Sequence, residues 1–266
     1  MRKIGINMGS IGGLTREEYL DAVKALGFDT VFTGVSETLE EQARYAEQVA
    51  ARGLIYENIH APFGHINDMW LDVEGGEKML SELLYSVDAC VASGAPILVV
   101  HLSSGIKAPS ITDIGRARFE RLVEYAAQKG IIIAFENQRK IGNIGWAFDN
   151  FEDCDNVGFC WDCGHENCFT LGREYMPMFG KKLVCTHIHD NTGVFNADLH
   201  LIPFDGNIDF DRFAEHIRRS GYSGPLTLEI IARNSDRYIG MDPYAYLQKG
   251  AEAIKKLRTM VDGKTE

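Results

Sequence analysis

Short runs of β-branched and other apolar residues alternate with longer amphipathic stretches along the whole chain. The short runs predict eight strands, and the longer stretches predict about eight helices. The predicted strands are 3–8, 30–33, 55–60, 97–101, 131–136, 157–162, 183–188 and 226–230. The predicted helices are 16–26, 40–51, 76–92, 114–128, 210–219 and 243–260, with two weaker ones at 146–151 and 166–179.

Strict alternation of strand and helix implies a parallel sheet. Eight such units in 266 residues fit a closed barrel better than an open sheet. An open nucleotide-binding sheet would carry a G-x-G-x-x-G loop after its first strand, and the glycine-rich segment 9–13 lacks that spacing. No linker or charge block interrupts the chain. We therefore predict an α/β fold, a single (β/α)8 TIM barrel domain over residues 1–266.

Helix start signals agree with this pattern. Thr15 with Glu18, and Thr38 with Glu41, have the spacing of capping boxes. Asp242 precedes a proline at the first position of the last predicted helix, which is a favourable start.

Composition narrows the class of protein. Lys and Arg number 27 against 38 Asp and Glu, a formal charge of −11, which argues against a protein that coats nucleic acid or an anionic membrane. Apolar runs reach only about six residues, whereas crossing a bilayer takes roughly 18–20. The basic first residues are not followed by the apolar stretch of a secretory signal. We expect a cytoplasmic protein with no membrane partner.

The six cysteines fit free thiols in a reducing compartment. Four of them lie close together in the sequence, at Cys154, Cys160, Cys163 and Cys168. Their spacing differs from the paired C-x2-C of structural zinc sites, so we do not expect a zinc–thiolate centre.

Six consecutive predicted strands end in a side chain that can bind metal. In chain order these side chains are His60, His101, Glu136, Asp162, His187 and Glu229. Asp198 and His200 lie in the long loop after the seventh strand. The carboxyl ends of barrel strands meet at one mouth, so these residues are expected to form one ring. Imidazoles and carboxylates together predict a divalent metal site.

Other residues near the predicted mouth receive weaker assignments. We expect His189 on the opposite face of strand 7 from His187; if His187 faces the barrel interior, His189 belongs to the loop and could contact the metal ligands. A phosphate or carboxylate could bind to one of the basic residues near the mouth, which are Lys107, Arg139, Lys140 and Arg233. Aromatic side chains are more often packed in the core than stacked on a sugar, and this applies to Phe63, Trp146 and Trp161.

The strand-end motifs resemble those of the xylose isomerase-like TIM barrel superfamily, which includes sugar phosphate isomerases and epimerases and endonuclease IV. The resemblance extends from the first strand to the last. The motifs are His60-Ala-Pro-Phe, Phe135-Glu136-Asn137, Asp162-x-Gly-His165, His187-x-x-Asp190-Asn191, Asp198-x-His200, Gly206-Asn-Ile-Asp209 and the strand-8 Glu229. Together these motifs are specific for the superfamily, but they do not identify any one substrate.

In the sugar branch, the resemblance implies an isomerase or epimerase that transfers a proton through a metal-stabilised enediolate. One divalent ion (Mn, Zn, Co or Mg) would be held by Glu136, Asp162, His187 and Glu229. Glu136 and Glu229 would also be the catalytic acid and base. The implied substrate-binding residues are His60, His101, His165 and His200. The partner would be a small carbohydrate, a sugar phosphate or a related polyol. Barrels of this kind often form homo-oligomers.

Endonuclease IV is the main alternative, because the chain carries the required residue type at all nine of its zinc-ligand positions. Those positions are His60, His101, Glu136, Asp162, His165, His187, Asp198, His200 and Glu229. The neighbouring motifs differ from the nuclease pattern, notably 137–141, 166–171 and the His at 189, so a nucleic-acid partner is not the first expectation. Segment 190–201 also lacks the arginine of ketose 3-epimerases. A dehydratase or lyase, and a non-catalytic binding protein, remain open.

Overall fold

Eight parallel strands form one sheet in the computed structural model, which describes residues 1–171 and 173–263. The strands are β1 (Ile4–Asn7), β2 (Thr30–Gly34), β3 (Ile55–His60), β4 (Ile97–His101), β5 (Ile132–Glu136), β6 (Val157–Asp162), β7 (Leu183–His187) and β8 (Leu226–Leu228). The α-helices of the described residues are α1 (Arg16–Ala25), α2 (Leu39–Ala51), α3 (Glu74–Ser93), α4 (Asp113–Gln128), α5 (Ile141–Asn150), α6 (Cys163–Phe169), α7 (Met176–Phe179), α8 (Phe210–Ser220) and α9 (Pro243–Asp262). Each predicted strand is present.

The sheet closes on itself at a seam between β7 and β8. Neighbouring strands follow chain order from β1 to β7, and β8 pairs with the free side of β1. At the seam, Ile188 and Leu228 form an isolated parallel bridge. The Ile188 N–H donates to the Thr227 carbonyl, and the Glu229 N–H donates to the Ile188 carbonyl, each at 2.9 Å. The predicted (β/α)8 TIM barrel is confirmed.

The helices cover the outside of the sheet and begin largely as their sequence signals predict. The Thr15 hydroxyl accepts the Glu18 N–H, and the Glu18 carboxylate accepts the Thr15 N–H, which completes the first capping box. The second predicted box is only half formed, because the Glu41 carboxylate accepts a hydrogen bond from Arg16 instead. No helix within the described residues is both long and apolar enough to span a membrane.

The prediction of one helix over 166–179 is wrong for the residues described, and position 172 lies outside them. α6 starts three residues earlier because the Asp162 carboxylate, at the end of β6, accepts the His165 N–H at 2.6 Å. Leu171 then takes a left-handed φ of 53°, which does not continue a helix. A separate short helix, α7, follows with Pro177 in its first turn.

Small and apolar side chains fill the barrel below its mouth. Ile97, Val99, Ala134, Cys160 and Cys185 pack together there. Cys160 lies opposite Cys185 in the β6–β7 register. All six cysteines are free thiols. The interior is therefore a packed core, and the space for a ligand lies at the carboxyl ends of the strands.

Candidate active site

A cavity of about 1010 Å³ opens at the carboxyl ends of the strands. Its polar and titratable lining residues near these ends are His60, His101, Glu136, Gln138, Arg139, His165, Asp198, His200 and Glu229. Further lining residues come from β2, the loop after it and α3, namely Phe32, Thr33, Gly34, Val35, Lys78, Ser81, Glu82, Tyr85 and Ser86. This volume is large enough for a ligand of drug-like size.

Four side chains from four successive strand ends converge beside this cavity, and two of them, Glu136 and Glu229, line it. Glu136, Asp162, His187 and Glu229 each offer one donor atom, and these atoms all lie within 4.8 Å of one another. We call these four residues the central cluster. Parallel pairing brings them together, because Asp162 and His187 are partners in the β6–β7 register. Asp162 and His187 are fully buried, whereas the Glu229 side chain keeps 14% of its surface exposed to the cavity.

Glu136 is the most heavily contacted carboxylate of the central cluster. Its Oε2 atom lies 2.7 Å from Nε2 of His101 and 3.2 Å from Nε2 of His60. Its Oε1 atom lies 3.1 Å from Nδ1 of His187. The Nδ1 atom of His187 is also 3.5 Å from Oε2 of Glu229. One imidazole nitrogen therefore faces both predicted catalytic carboxylates.

A second group, which we call the histidine-rich cluster, consists of His165, His189, Asp198 and His200. The Oδ2 atom of Asp198 lies 3.2 Å from Nε2 of His200 and 3.3 Å from Nε2 of His165. The rings of His189 and His200 are stacked with centroids 4.0 Å apart. The His200 ring is held from its other nitrogen, because Nδ1 lies 2.8 Å from the Glu229 carbonyl oxygen.

The model of the xylose isomerase-like TIM barrel family matches residues 20–257 of the chain. The chain belongs to this family. Among curated relatives, uncharacterized protein y4fM of Sinorhizobium fredii is 30% identical over 191 residues. That match covers 66% of this chain and 58% of the relative, so it spans less than two thirds of the relative's length.

Two solved structures superpose along nearly the whole chain. A D-tagatose 3-epimerase-like protein has a TM-score of 0.77 at 21% identity, with 99% of this chain and 100% of that chain covered. D-psicose 3-epimerase of Clostridium cellulolyticum has a TM-score of 0.79 at 14% identity, with 97% and 99% covered. At these identities the likeness establishes the fold.

In this xylose isomerase-like barrel, the expectation that His189 faces away from His187 is wrong. Residues two apart on a strand point to the same face, and β7 ends at His187, so His189 turns toward the mouth. Its Nε2 atom lies 3.0 Å from Oδ1 of Asp162 and 3.6 Å from Oδ1 of Asp198. His189 therefore links the central and histidine-rich clusters. The two-residue spacing was the signal that could have identified it.

Residues to which the sequence analysis assigned no role hold the clusters in place. The Asn137 side chain donates to the Asp162 carbonyl and accepts the Asp162 N–H, both at 2.8 Å. The Asp190 carboxylate accepts the backbone N–H groups of Asn191, Phe204, Gly206 and Ile208. Asp190 thus shapes the loop that carries Asp198 and His200. These roles depend on the path of the loops, which sequence motifs do not specify.

The buried charges of the site balance one another. Burial raises the pKa of Glu136, but the positive charge of His187 and the hydrogen bond from His101 outweigh this effect and hold its pKa well below the usual range. Burial lowers the pKa of His187, but the Glu229 and Glu136 carboxylates outweigh it and raise that pKa to about 10. For Asp198, His165 and His200 likewise overcome burial and lower the pKa. Without a bound cation, carboxylates and imidazolium groups neutralise each other.

Only some of the residues that the sequence predicts at the mouth line the cavity. All four predicted substrate-binding histidines line the cavity, as does Phe63. Of the four basic residues, only Arg139 is among the described lining residues. The Lys140 ammonium donates instead to the Ala108 and Pro109 carbonyls. Trp161 is buried against Phe213, which is a core position.

Proposed function

We propose that this protein is a divalent-metal-dependent isomerase or epimerase of a sugar, sugar phosphate or related polyol. The observation that carries the proposal is the central cluster, whose four donor atoms lie within 4.8 Å of one another beside a large cavity. The similar structures named for 3-epimerase activity support the same reaction class. The chemistry we infer is removal and return of a proton at the carbon next to a carbonyl.

The central cluster fits a divalent cation. It offers three carboxylates and one imidazole, a set that suits Mn²⁺, Co²⁺, Zn²⁺ or Mg²⁺. Within the central cluster three carboxylates face a single imidazole, and a divalent ion would supply the positive charge that neighbouring histidines provide in its absence. A bound ion would stabilise the negative charge that develops on a substrate oxygen during proton removal.

We assign the proton transfers to Glu136 and Glu229. The Glu229 oxygens have only long contacts, at 3.5 Å to His187 and 3.8 Å to His200, so they remain accessible to a substrate. Glu136 is held by shorter contacts, which fix the position of its carboxylate, and we assign it the transfer on the opposite face of the substrate from Glu229. Two carboxylates on opposite sides allow a proton to leave one face and return to the other. His60, His101, His165 and His200 are assigned to the substrate hydroxyls.

Solvent-isotope exchange tests this proposal directly. Metal-loaded protein is incubated in D₂O with free ketoses, ketose phosphates and keto-uronates, and the products are examined by NMR. We expect deuterium at the carbon next to the carbonyl. Glu136→Gln and Glu229→Gln should each lower the rate at least about 100-fold, while Glu124→Gln on the exposed surface of α4 should not. Conversion of a substrate without any exchange would rule out the mechanism.

A second candidate is hydrolysis of a phosphodiester at three metal ions, as in endonuclease IV. The observation in its favour is that the described residues form five overlapping groups of potential ligands, three of which together contain all the ligand positions of this enzyme type. Beside the central and histidine-rich clusters, His60, His101 and Glu136 form a third group. All nine endonuclease-type positions fall within these groups. Three zinc ions per chain, with cleavage of an abasic-site duplex, would establish this function. About one ion per chain and an intact duplex would eliminate it.

A further inference from the structure

We propose that the substrate carries an anionic group, a carboxylate or a phosphate, and that the Arg139 guanidinium binds it. This inference rests on the proposed function only in that the same cavity takes the substrate. It narrows the substrate from sugars in general to acidic sugars or sugar phosphates.

Arg139 follows Glu136 by three residues and lines the same cavity. The other basic residues expected near the mouth do not serve this purpose. Lys140 is committed to two backbone carbonyls. Lys107 is exposed, and neither it nor Arg233 is among the described residues that line the cavity.

The Arg139 guanidinium is held rigidly by two neutral groups. Its central carbon lies 3.6 Å from the centroid of the Phe169 ring. Its Nε and Nη2 atoms both donate to Oδ1 of Asn196, with Nε at 2.9 Å. Phe169 also stacks with His165 at 4.6 Å between centroids. Two planar groups cannot share one face of Phe169 without overlapping, so the ring lies between Arg139 and the histidine-rich cluster.

The Arg139 guanidinium forms no ion pair in the part of the chain that the structure describes, although the Asp198 carboxylate is near enough to raise its pKa against the effect of burial. Neither partner described above carries a charge, and no carboxylate oxygen of the described residues forms an ion pair with the guanidinium within 4.0 Å. Burial lowers the pKa of Arg139, which marks a partly desolvated cation. A desolvated guanidinium with free N–H groups suits bidentate contact with a carboxylate or phosphate.

Arg139 is not needed to anchor the loop after β7, which carries Asn196. The Asn196 N–H donates to the Cys168 carbonyl at 2.9 Å, so the loop is attached to α6 without Arg139. The Asp190 carboxylate fixes the far end of the same loop. A neutral donor in place of Arg139 could make the same hydrogen bond to Asn196, so anchoring alone does not require the positive charge.

The test measures binding and needs no turnover. Calorimetry on metal-loaded full-length protein compares D-ribulose with D-ribulose 5-phosphate, and D-fructose with D-fructuronate. Arg139→Met removes the charge, Arg139→Lys keeps the charge but loses the planar fork, and Lys107→Met removes an exposed charge on the neighbouring loop. Circular dichroism checks that each variant is folded.

We expect wild-type protein to prefer one anionic ligand over its neutral partner. Arg139→Met should lower that preference about 10- to 100-fold, Arg139→Lys should lower it less, and Lys107→Met should leave it unchanged. If the preference is found for the ribulose pair, the anionic group is a phosphate; if it is found for the fructose pair, the group is a carboxylate. Equal binding of anionic and neutral partners by wild type would overturn the inference, as would an equal loss for both in Arg139→Met.

Failure of this inference and failure of the proposed function give different results. Arg139-dependent binding of an anionic sugar without deuterium exchange leaves the anion site in place and removes the isomerase assignment. Suppose instead that neutral sugars undergo deuterium exchange and that Arg139→Met changes the exchange rates of neutral and anionic sugars equally. This result supports the isomerase assignment and removes the anion site.

Discussion

The Oε2 atom of Glu136 lies 2.7 Å from Nε2 of His101, the shortest contact that this carboxylate makes with a histidine. His101 is buried and its ring is stacked against Phe63, with centroids 4.3 Å apart. The position of Glu136 in the central cluster therefore depends on a residue outside that cluster.

We expect His101→Ala to weaken metal binding by about 10- to 100-fold, because Glu136 loses the contact that orients its carboxylate. His101→Gln, which can still donate a hydrogen bond, should restore part of the affinity. Titration of metal-free protein with Mn²⁺ measures both effects. Unchanged affinity in His101→Ala would show that Glu136 is held by its other neighbours.

Metal binding should release protons and strengthen as the pH rises. The pKa of His187 is raised to about 10 in the metal-free protein, so this side chain is protonated at pH 7 and must lose its proton to bind metal. Calorimetry at pH 7 in buffers of different ionisation enthalpy measures the released protons. Binding without proton release would contradict the assignment of His187 as a ligand.

The same shift fixes a pH dependence of the metal-free protein. The folded-state pKa of His187 is raised from 6.5 to about 10, so its stabilising contribution is fully present below pH 6.5. That contribution is lost as the pH rises through about 10. The midpoint of thermal unfolding of metal-free protein should therefore fall over this range, more steeply than that of metal-loaded protein.

Glu166 should make the protein less stable at neutral pH than at pH 4.5. Burial raises the pKa of Glu166 to about 7, although the Tyr175 N–H and the Trp161 indole donate to its carboxylate. Its contribution to stability is present below pH 4.5 and is lost as the pH rises through about 7. Glu166→Gln keeps an acceptor for both donors and should gain about 1–3 kcal/mol over wild type between pH 4.5 and pH 8. A gain independent of pH would contradict this.

Gly115 in α4 should not tolerate a side chain. A Cβ atom there would overlap the ring of Trp70, which is fully buried and donates to the Leu102 carbonyl at 2.6 Å. We expect Gly115→Ala to destabilise the protein by about 1–3 kcal/mol. Gly145→Ala in α5 is the matched control, since nothing lies within 4 Å of the added atom, and it should stabilise by about 0.5–1 kcal/mol. Urea unfolding measures both.

The sequence predicts the central cluster because barrel topology alone brings its members together. Glu136, Asp162 and His187 end strands that the hydrophobic pattern identifies, and parallel pairing makes their ends neighbours. No knowledge of side-chain packing is needed for that step. The same reasoning places Glu229 just beyond the end of β8.

Features that depend on the path of the loops were not predicted. The role of Asp190 depends on backbone N–H groups contributed by residues 204–208, which the chain reaches only after a long excursion. Arg139 lines the cavity and Lys140 does not, because the Lys140 ammonium donates to the Ala108 and Pro109 carbonyls in the loop after β4. Local sequence patterns contain no information about such long-range contacts.

The seam of the barrel has a consequence for its fluctuations. His187 ends β7 and Glu229 follows β8, so the two stand on opposite sides of the closure that the Ile188–Leu228 bridge completes. Local opening between these strands, of the kind seen by hydrogen exchange, would separate the two side chains. A ligand that contacts both His187 and Glu229 binds only to the closed barrel. Such a ligand therefore raises the free energy of opening by mass action. Hydrogen exchange of the Ile188 and Glu229 amides should therefore slow when the central cluster holds a metal ion. A bound ion would in this way keep β7 and β8 together and stabilise the closed barrel.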